Sequence, residues 1–368
     1  MEYTQRNPLP IPLAGATREI ESTIKTVFDW RYALEEQQLL TLYEKGKRLN
    51  WNASELNWNT EVDVERMTRE ARVDHVFNDF MKAPRKLSLD EAVQLRLHQN
   101  ANLLSQFLHG EQGALIATAK IVQTVPWEEA KFYAANQVAD EARHVECYHR
   151  YLTEKLGLSY PINPSLQTLL DDIIRDSRWD ITYLGMQILV EGLALAAFGM
   201  LKLTMGGEPL IQDITTRIMG DESRHVAFGV LSLKKAYAEE MSSQELKERE
   251  DFIIEATQLL QERLTQGMVI DRLGWPRDPW VAWLDESPFN RAMRQMMFSK
   301  IVPNLKRLGL LTPRVRAHFE RLNLIRFEHD KDSVEEPEVQ PPQELIQMLV
   351  EYLARVEQEQ KQGQTGAT

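Results

Sequence analysis

Two stretches of this chain repeat one another. Residues 140–145 read DEARHV and residues 221–226 read DESRHV, 81 positions apart. Each is preceded by a glutamate set among small and apolar residues: Glu111 in HGEQGALIA and Glu191 in LVEGLALAA, 80 positions apart. A glutamate segment followed by a D-E-x-R-H segment therefore occurs twice at nearly constant offset. On a helix, residues three apart share a face about one turn apart. Glu141 with His144, and Glu222 with His225, each offer a carboxylate and an imidazole to one point. If Glu111 and Glu191 come from two further helices, antiparallel packing brings four carboxylates and two imidazoles to the centre of a four-helix bundle. A single E-x-x-H on a helix is commonly a solvated face; the duplication and the paired glutamates carry the reading. Buried carboxylates without partners are heavily penalised, so four converging ones need cations. Hard carboxylate and borderline imidazole donors suit iron or manganese.

The flanking residues extend the pattern. Asp140 and Asp221 each lie four residues before a histidine, on the same face as that histidine or near one on a neighbouring helix. A carboxylate accepting the distal imidazole N–H fixes the tautomer. Arg143 and Arg224 are placed to balance buried negative charge. His75, His98, His109, His149, His318 and His329 have no such motif, and surface or core roles are expected for them.

The rest of the chain reads as all-α, a four-helix bundle with additional N- and C-terminal helices. Ser88 opens a capping box with Glu91, and helical spacing runs on to about Val122. Pro126 is expected just inside the start of a second helix reaching about Lys155, ended by Gly157 and SYPINP. A third helix is expected over roughly 165–205, with a possible break near Ser177; Gly206, Gly207 and Pro209 separate it from a fourth ending near Met241. Further helices are expected at about 244–266, 288–309 and 341–360. Four parts follow. Residues 1–87 form an irregular helical wrapping carrying Trp30, Trp51 and Trp58, and 88–241 form the bundle. Residues 242–328 add helices packed on it; 329–368 hold an acidic, proline-rich linker (329–342), a C-terminal helix and the flexible tail KQGQTGAT.

Composition narrows the function. A net charge of -12 argues against nucleic acid, whose phosphates need a basic surface. Cys147 is the sole cysteine, so neither an intrachain disulfide nor a cysteine-rich zinc site is expected. MEYTQRNPLPIPL lacks a basic start followed by an apolar run, so no export signal is expected. The most apolar stretch, about 188–200, is interrupted by Glu191 and reads as a buried helix rather than a membrane span. A cytoplasmic protein is the expectation.

Over roughly residues 88–235 these motifs resemble the ferritin-like di-iron carboxylate oxidoreductases. That group includes ribonucleotide reductase small subunits, bacterial multicomponent monooxygenase hydroxylases and the aminobenzoate N-oxygenases. The resemblance implies two iron ions, or a manganese–iron pair, held by Glu111, Glu141, His144, Glu191, Glu222 and His225, with dioxygen as the oxidant. The branches differ in detail. Ribonucleotide reductase small subunits usually begin the ligand set with aspartate, where this chain has Glu111. The hydroxylases match the ligand set but usually carry a polar residue one turn after the third glutamate, where Leu195 stands. The N-oxygenases typically add a histidine one turn before the fourth glutamate, where Ile218 stands. The chain looks like a stand-alone relative of all three.

Tyr148, four residues after His144, occupies the place of the radical tyrosine in radical-generating subunits; a packed core tyrosine is the favoured expectation. Trp179, Tyr183 and Gln187 step toward Glu191 and read equally as access lining or core. An apolar pocket is expected around Ala114, Leu115, Tyr148, Gln187, Leu195 and Ile218. The implied function is a non-haem di-iron oxygenase acting on an organic small molecule, by carbon hydroxylation or amine N-oxygenation. The alternatives are a radical-generating reductase-like subunit using Tyr148 and a ferroxidase or iron-binding protein. No glycine-rich dinucleotide fingerprint or iron–sulfur cysteine set is present, so electrons are expected from a separate reductase. A homodimer is allowed; nucleic-acid and membrane partners are not expected.

Overall fold

The computed structural model describes residues 17–205, 207–239, 241–336 and 347. No strand occurs among them. Helix α1 (Gln37–Arg48) precedes the bundle, and two short helices, Val64–Glu70 and Val73–His75, follow it. The bundle begins with α2 (Leu89–Thr124), opened by the Ser88–Glu91 capping box: the Glu91 amide donates to Ser88 Oγ, and the Ser88 amide to Glu91 Oε2 at 2.9 Å. A short link leads into α3 (Glu128–Arg150), which runs on as a π-helical turn, Tyr151–Leu156, and stops at Gly157 with φ +61°. A left-handed terminal residue is the common way to end a helix and favours glycine. Trp127 precedes the first helical residue of α3, so Pro126 sits in the link rather than inside the helix. Its fixed φ helps turn the chain between antiparallel helices.

The expected third helix is divided in two at the break foreseen near Ser177. α4 (Pro164–Arg175) ends where Asp176 turns extended, and α5 follows as three segments run together: Trp179–Tyr183, the π-helical Leu184–Val190, and Glu191–Thr204. The break has an evident partner. The buried Lys120 ammonium of α2 donates to the carbonyls of Ile173 (3.1 Å), Ile174 (3.0 Å) and Asp176, supplying the positive charge that a helix C-terminus favours. α6 (Pro209–Glu239) closes the bundle, so that α2 packs on α3, α3 on α6, α6 on α5 and α5 on α2. The α5 helix over Trp179–Lys202 is long and apolar enough to cross a bilayer, yet 89% of its most apolar 18-residue window is buried; it is a core helix of the bundle.

The π-helical stretch of α5 lies in tight quarters. A Cβ on Gly185 would stand 2.5 Å from Ile173 Cγ1 and 2.9 Å from Phe252 Cζ, and one on Gly229 of α6 would stand 2.5 Å from Gln187 Cβ. Glycine is needed at both places for close approach. A π-turn shifts the register of the residues after it and is frequent at functional sites; here the residue after it is Glu191.

Beyond the bundle come α7 (Ser243–Glu262), α8 (Gly267–Leu273), α9 (Arg277–Glu286), α10 (Pro288–Met296), α11 (Ile301–Arg307) and α12 (Pro313–Arg321). The helix expected over 288–309 is thus split into α10 and α11, and α8, α9 and α12 have no counterpart in the sequence expectation. Two apolar clusters result. The larger fills the bundle. The smaller gathers Val73, Phe77, Met81 and Leu87 with Val93 and Leu95 of α2 and with Val269, Trp280 and Leu284 of α8 and α9. Residues 17–36 hold no helix; Trp30 is exposed, while Trp51 is buried against the bundle. The helix expected at 341–360 and the KQGQTGAT tail lie outside the described residues, as does the linker beyond 336 apart from residue 347.

Candidate metal centre

Each bundle helix brings one part of the cluster. α2 carries Glu111, α3 carries Glu141 and His144, α5 carries Glu191, and α6 carries Glu222 and His225. All six are buried, His144, Glu141 and His225 completely. One donor atom each from Glu111, Glu141, His144 and Glu222 lies within 4.8 Å of the others, and the same holds for Glu141, Glu191 and His225. The two groups share Glu141, the arrangement of a carboxylate lying between two cation positions.

The imidazoles are oriented. His144 Nδ1 faces inward, 3.2 Å from Glu222 Oε1 and 3.4 Å from Glu111 Oε2; His225 Nδ1 faces Glu141 Oε1 at 3.1 Å. Their Nε2 atoms point outward, and the aspartates receive them crosswise. His144 Nε2 lies 3.1 Å from Asp221 Oδ2, and His225 Nε2 lies 3.2 Å from Asp140 Oδ2. Each motif's aspartate thus serves the other motif's histidine, which locks α3 to α6 and fixes both tautomers with Nδ1 free to face a cation. Arg143 spans the two aspartates, donating to Asp140 at 2.5 Å and to Asp221 at 3.3 Å, and Arg224 pairs with Asp221.

Two participants escaped the sequence reading. The buried Gln137 amide donates to Glu141 Oε1 at 2.9 Å and to Glu191 Oε1 at 3.0 Å, tying α3 to α5. Its position four residues before Glu141 was a usable signal. Trp51 donates its indole N–H to Asp221 Oδ2 at 2.8 Å, and the Arg143 guanidinium lies 4.7 Å from the centre of its ring. Nothing local in the sequence links positions 51 and 221. Several of the remaining histidines have partners away from the cluster: His98 meets the Tyr160 hydroxyl, His109 the Tyr160 carbonyl, His75 Asp79 and His318 the Arg321 guanidinium.

The electrostatics are those of crowded, buried carboxylates and imidazoles. Burial, then the nearby Glu222, raises Glu111 and Glu191 well above the usual carboxylate range. For Glu141 burial also pushes upward, but His225 and His144 outweigh it and hold the group below its ordinary value. Burial pulls His144 and His225 down, yet the surrounding carboxylates win, led by Glu111 for His144 and Glu141 for His225, and raise both. Glu141 Oε2, Glu191 Oε2, both Glu222 oxygens and His225 Nδ1 are buried with no hydrogen-bond partner. Orphaned polar atoms in an interior are expensive. Several aimed at one point fit cations, so the donor set passes the test for a pair of metal ions.

Of the side chains expected around a pocket, only Ala114 lines the crevice beside the cluster. That crevice has a volume of 20 Å³, room for about one water. It lies between α2 and α5 among Phe107, Gly110, Ala114, Val190, Ala194 and Phe198. Leu195 and Ile218 are fully buried in the interior instead, and Leu115 is half-buried off the crevice. Gln187 is buried with its amide toward Thr118 Oγ1. Tyr183 is core, packed against Phe228 and Trp179. Tyr148 is completely buried between Phe107 and Phe198, and its hydroxyl has no hydrogen-bond partner.

The structure can be set beside solved ones. The dimanganese(II)-NrdF of Streptococcus sanguinis matches with a TM-score of 0.51 at 15% identity, covering 79% of this chain and 98% of that one. The fold is ferritin-like. R2-like ligand-binding oxidase with an aerobically reconstituted Mn/Fe cofactor matches at 16% identity and a TM-score of 0.46, over 78% of this chain and 93% of that one. A mutant of that oxidase, with the Mn/Fe cofactor reconstituted anaerobically, matches at 17% identity and a TM-score of 0.47, over 76% and 92%. No family model and no curated protein sequence matches the chain.

Proposed function

We propose that this chain is a di-metal oxidoreductase that uses dioxygen to oxidise an organic small molecule. The observation that carries the proposal is the set of orphaned, convergent donor atoms at the bundle centre, opening on one side into an apolar crevice. Glu111, Glu141, His144, Glu191, Glu222 and His225 hold the ions, either two irons or a manganese–iron pair. The similar NrdF structure, a dimanganese(II) form, supports a two-ion site in this fold. A reduced pair bound there supplies the redox chemistry toward dioxygen.

The chain's own residues do the rest. Asp140 and Asp221 accept the imidazole Nε2–H groups and keep Nδ1 directed inward. Gln137 holds Glu141 and Glu191 in mutual register. Phe107, Val190 and Phe198 narrow the crevice to room for about one water, which would shield an oxidant from bulk solvent and strengthen the local electrostatics. Carbon hydroxylation and amine N-oxygenation both belong to this proposal. Electrons come from a separate reductase in a reducing, cytoplasmic setting. Cys147 takes no part, being buried with its thiol pushed up to about 12 by that burial.

The place of Tyr148, four residues after His144, supports a second reading, a radical-generating subunit. The isolated Tyr148 hydroxyl weighs against it, because a phenol that is oxidised must hand its proton to an acceptor, and none touches it. The test is elemental analysis with oxygen uptake. Protein from iron-replete cells should hold about two metal ions per chain, and the reduced form should consume dioxygen. Glu141→Ala and His225→Ala should lose most of both. Full occupancy in the two variants would sink the assignment.

A further inference from the structure

A cavity of 520 Å³ lies outside the bundle, between the end of α7, the α9–α10 corner and the end of α12. No residue of the metal cage lines it. Its walls are mainly polar, and three guanidiniums share them: Arg291 and Arg294 of α10 and Arg321 of α12. Arg291 and Arg294 stand three residues apart on one helix face, where like charges repel. Arg294 is answered by Asp285 at the end of α9. Arg291 donates to the Glu286 carbonyl at 2.9 Å, and Arg321 reaches His318 Nδ1 at 3.4 Å. Among the described residues neither of these two pairs with a carboxylate.

A lone exposed arginine is ordinarily a solvated charge. Here three share one cavity in a chain whose net charge is -12. The two acids on the same walls do not cancel them. Asp285 is taken by Arg294, and Glu262 accepts hydrogen bonds from Ser165 Oγ and Gln258 Nε2, both at 3.2 Å, rather than from an arginine. The planar guanidinium fork matches the oxygens of a phosphate or a carboxylate. Donors arriving from two separate helices suit a tetrahedral dianion better than a planar monoanion.

The rest of the lining describes the body of the ligand. Small-molecule sites run to about 300–1,000 Å³, so inorganic phosphate would fill only part of this one. Gln261, Gln295 and Thr265, with the carboxylates of Glu262 and Asp285, offer the mixture of donors and acceptors that hydroxyl groups require. Phe298 and Leu264 add a limited apolar surface, too little to hold an acyl chain. We propose that this cavity binds a phosphorylated polyhydroxy compound, its phosphate held by Arg291 and Arg321 and its hydroxyls by the amides and carboxylates around them. It gives the chain a second small-molecule site, independent of the metal cage.

The test is calorimetric titration of full-length, metal-loaded protein with ribose 5-phosphate, ribose and inorganic phosphate. Ribose 5-phosphate should bind at least about tenfold more tightly than either of the others, because it alone meets both halves of the site. Arg291→Gln and Arg321→Gln should each weaken it by about tenfold, and Arg291→Lys and Arg321→Lys should lose less. Both arginines are exposed, so all four variants should melt with wild type. Arg66→Gln, at an exposed arginine of the short helix Val64–Glu70, should bind as wild type does. So should wild type stripped of its metals by a chelator. Ribose binding as tightly as its phosphate, or inorganic phosphate as tightly as the ester, would overturn the proposal. Unchanged affinity in Arg291→Gln and Arg321→Gln would do the same. An equal loss in Arg66→Gln would reduce the binding to diffuse surface attraction, and a loss on chelation would put the phosphate on the metals; either result defeats the site. Absence of binding at about 1 mM ribose 5-phosphate would defeat it too.

Discussion

The two sides of the metal cage are built on opposite principles. Behind the two imidazoles, between α3 and α6, both aspartates are fully engaged. Asp221 takes up the Trp51 indole, the His144 imidazole and two guanidiniums, and Asp140 takes up His225, Arg143 and Asn136. On the glutamate side, between α2 and α5, small residues leave a crevice and the one nearby cation among the described residues, Arg263, is unpaired. Fully satisfied polar networks rigidify, whereas unsatisfied groups mark places waiting for a ligand. One side of the cage is a closed polar network, and the other borders a small crevice.

If that contrast is right, damage to the closed side should show first in metal retention. Asp221 makes more contacts than Asp140 and joins the N-terminal segment to the bundle through Trp51. Asp221→Asn should weaken metal retention or slow the reaction of the reduced protein with dioxygen by about 10–100-fold. Asp140→Asn should fall at the lower end of that range. Competition with a chelator and stopped-flow absorbance give both numbers. Equal, negligible losses would reduce the aspartates to ordinary helix charges.

A smaller effect should separate cage from fold. In metal-free protein Glu111 and Glu191 keep protons that the unfolded chain gives up above 4.5, so their share of stability falls as pH rises. His144 and His225 are also raised. Their contribution is fully present below 6.5 and is lost as pH rises through their folded values. Glu141 and Asp221 are depressed and act oppositely, losing stability only in acid. Cations replace the protons, so the rise in Tm caused by metal should grow between about pH 6 and pH 8. Calorimetry of full-length protein with metal or with chelator measures it. A constant increment would place the stabilising metal elsewhere.

The all-α bundle and its repeated, ligand-bearing part were legible in the sequence, while the contacts between distant segments were not, for a physical reason. Glu141–His144, Glu222–His225 and the Ser88–Glu91 cap are local spacings on a helix, and local spacing is what a sequence displays. The exchange of aspartates between motifs is a matter of how α3 and α6 face each other, which the spacing left open. Trp51 reaches Asp221, and Arg263 reaches the crevice, across long chain separations with no local pattern to mark them. The misplaced pocket has the same origin. Leu195 and Ile218 follow from counting one turn from Glu191 and Glu222. The crevice instead follows Phe107, Gly110 and Ala114 on α2 and Val190, Ala194 and Phe198 on α5, because these two helices meet along those residues.

The smallest expected effect is also the one that decides what the open side is for. Tyr148 stands behind Phe107, nearly parallel to the ring of Phe198 with centroids 6.2 Å apart, so it supports the crevice wall. Burial, followed by the nearby Glu111, raises its phenol well above the usual range, which makes loss of the proton harder. The hydroxyl has neither an acceptor nor a donor beside it. Oxidising such a tyrosine would leave a proton stranded in an apolar wall, so Tyr148 would be a poor recipient of an oxidising equivalent if metals were bound. Oxygenation of the reduced protein should then leave no persistent tyrosyl signal in electron paramagnetic resonance. Tyr148→Phe should consume dioxygen within about twofold of the wild-type rate, because it removes an unsatisfied hydroxyl and keeps the ring. A near-stoichiometric radical that disappears in Tyr148→Phe would make the open side a radical store, and the oxygenase reading would give way.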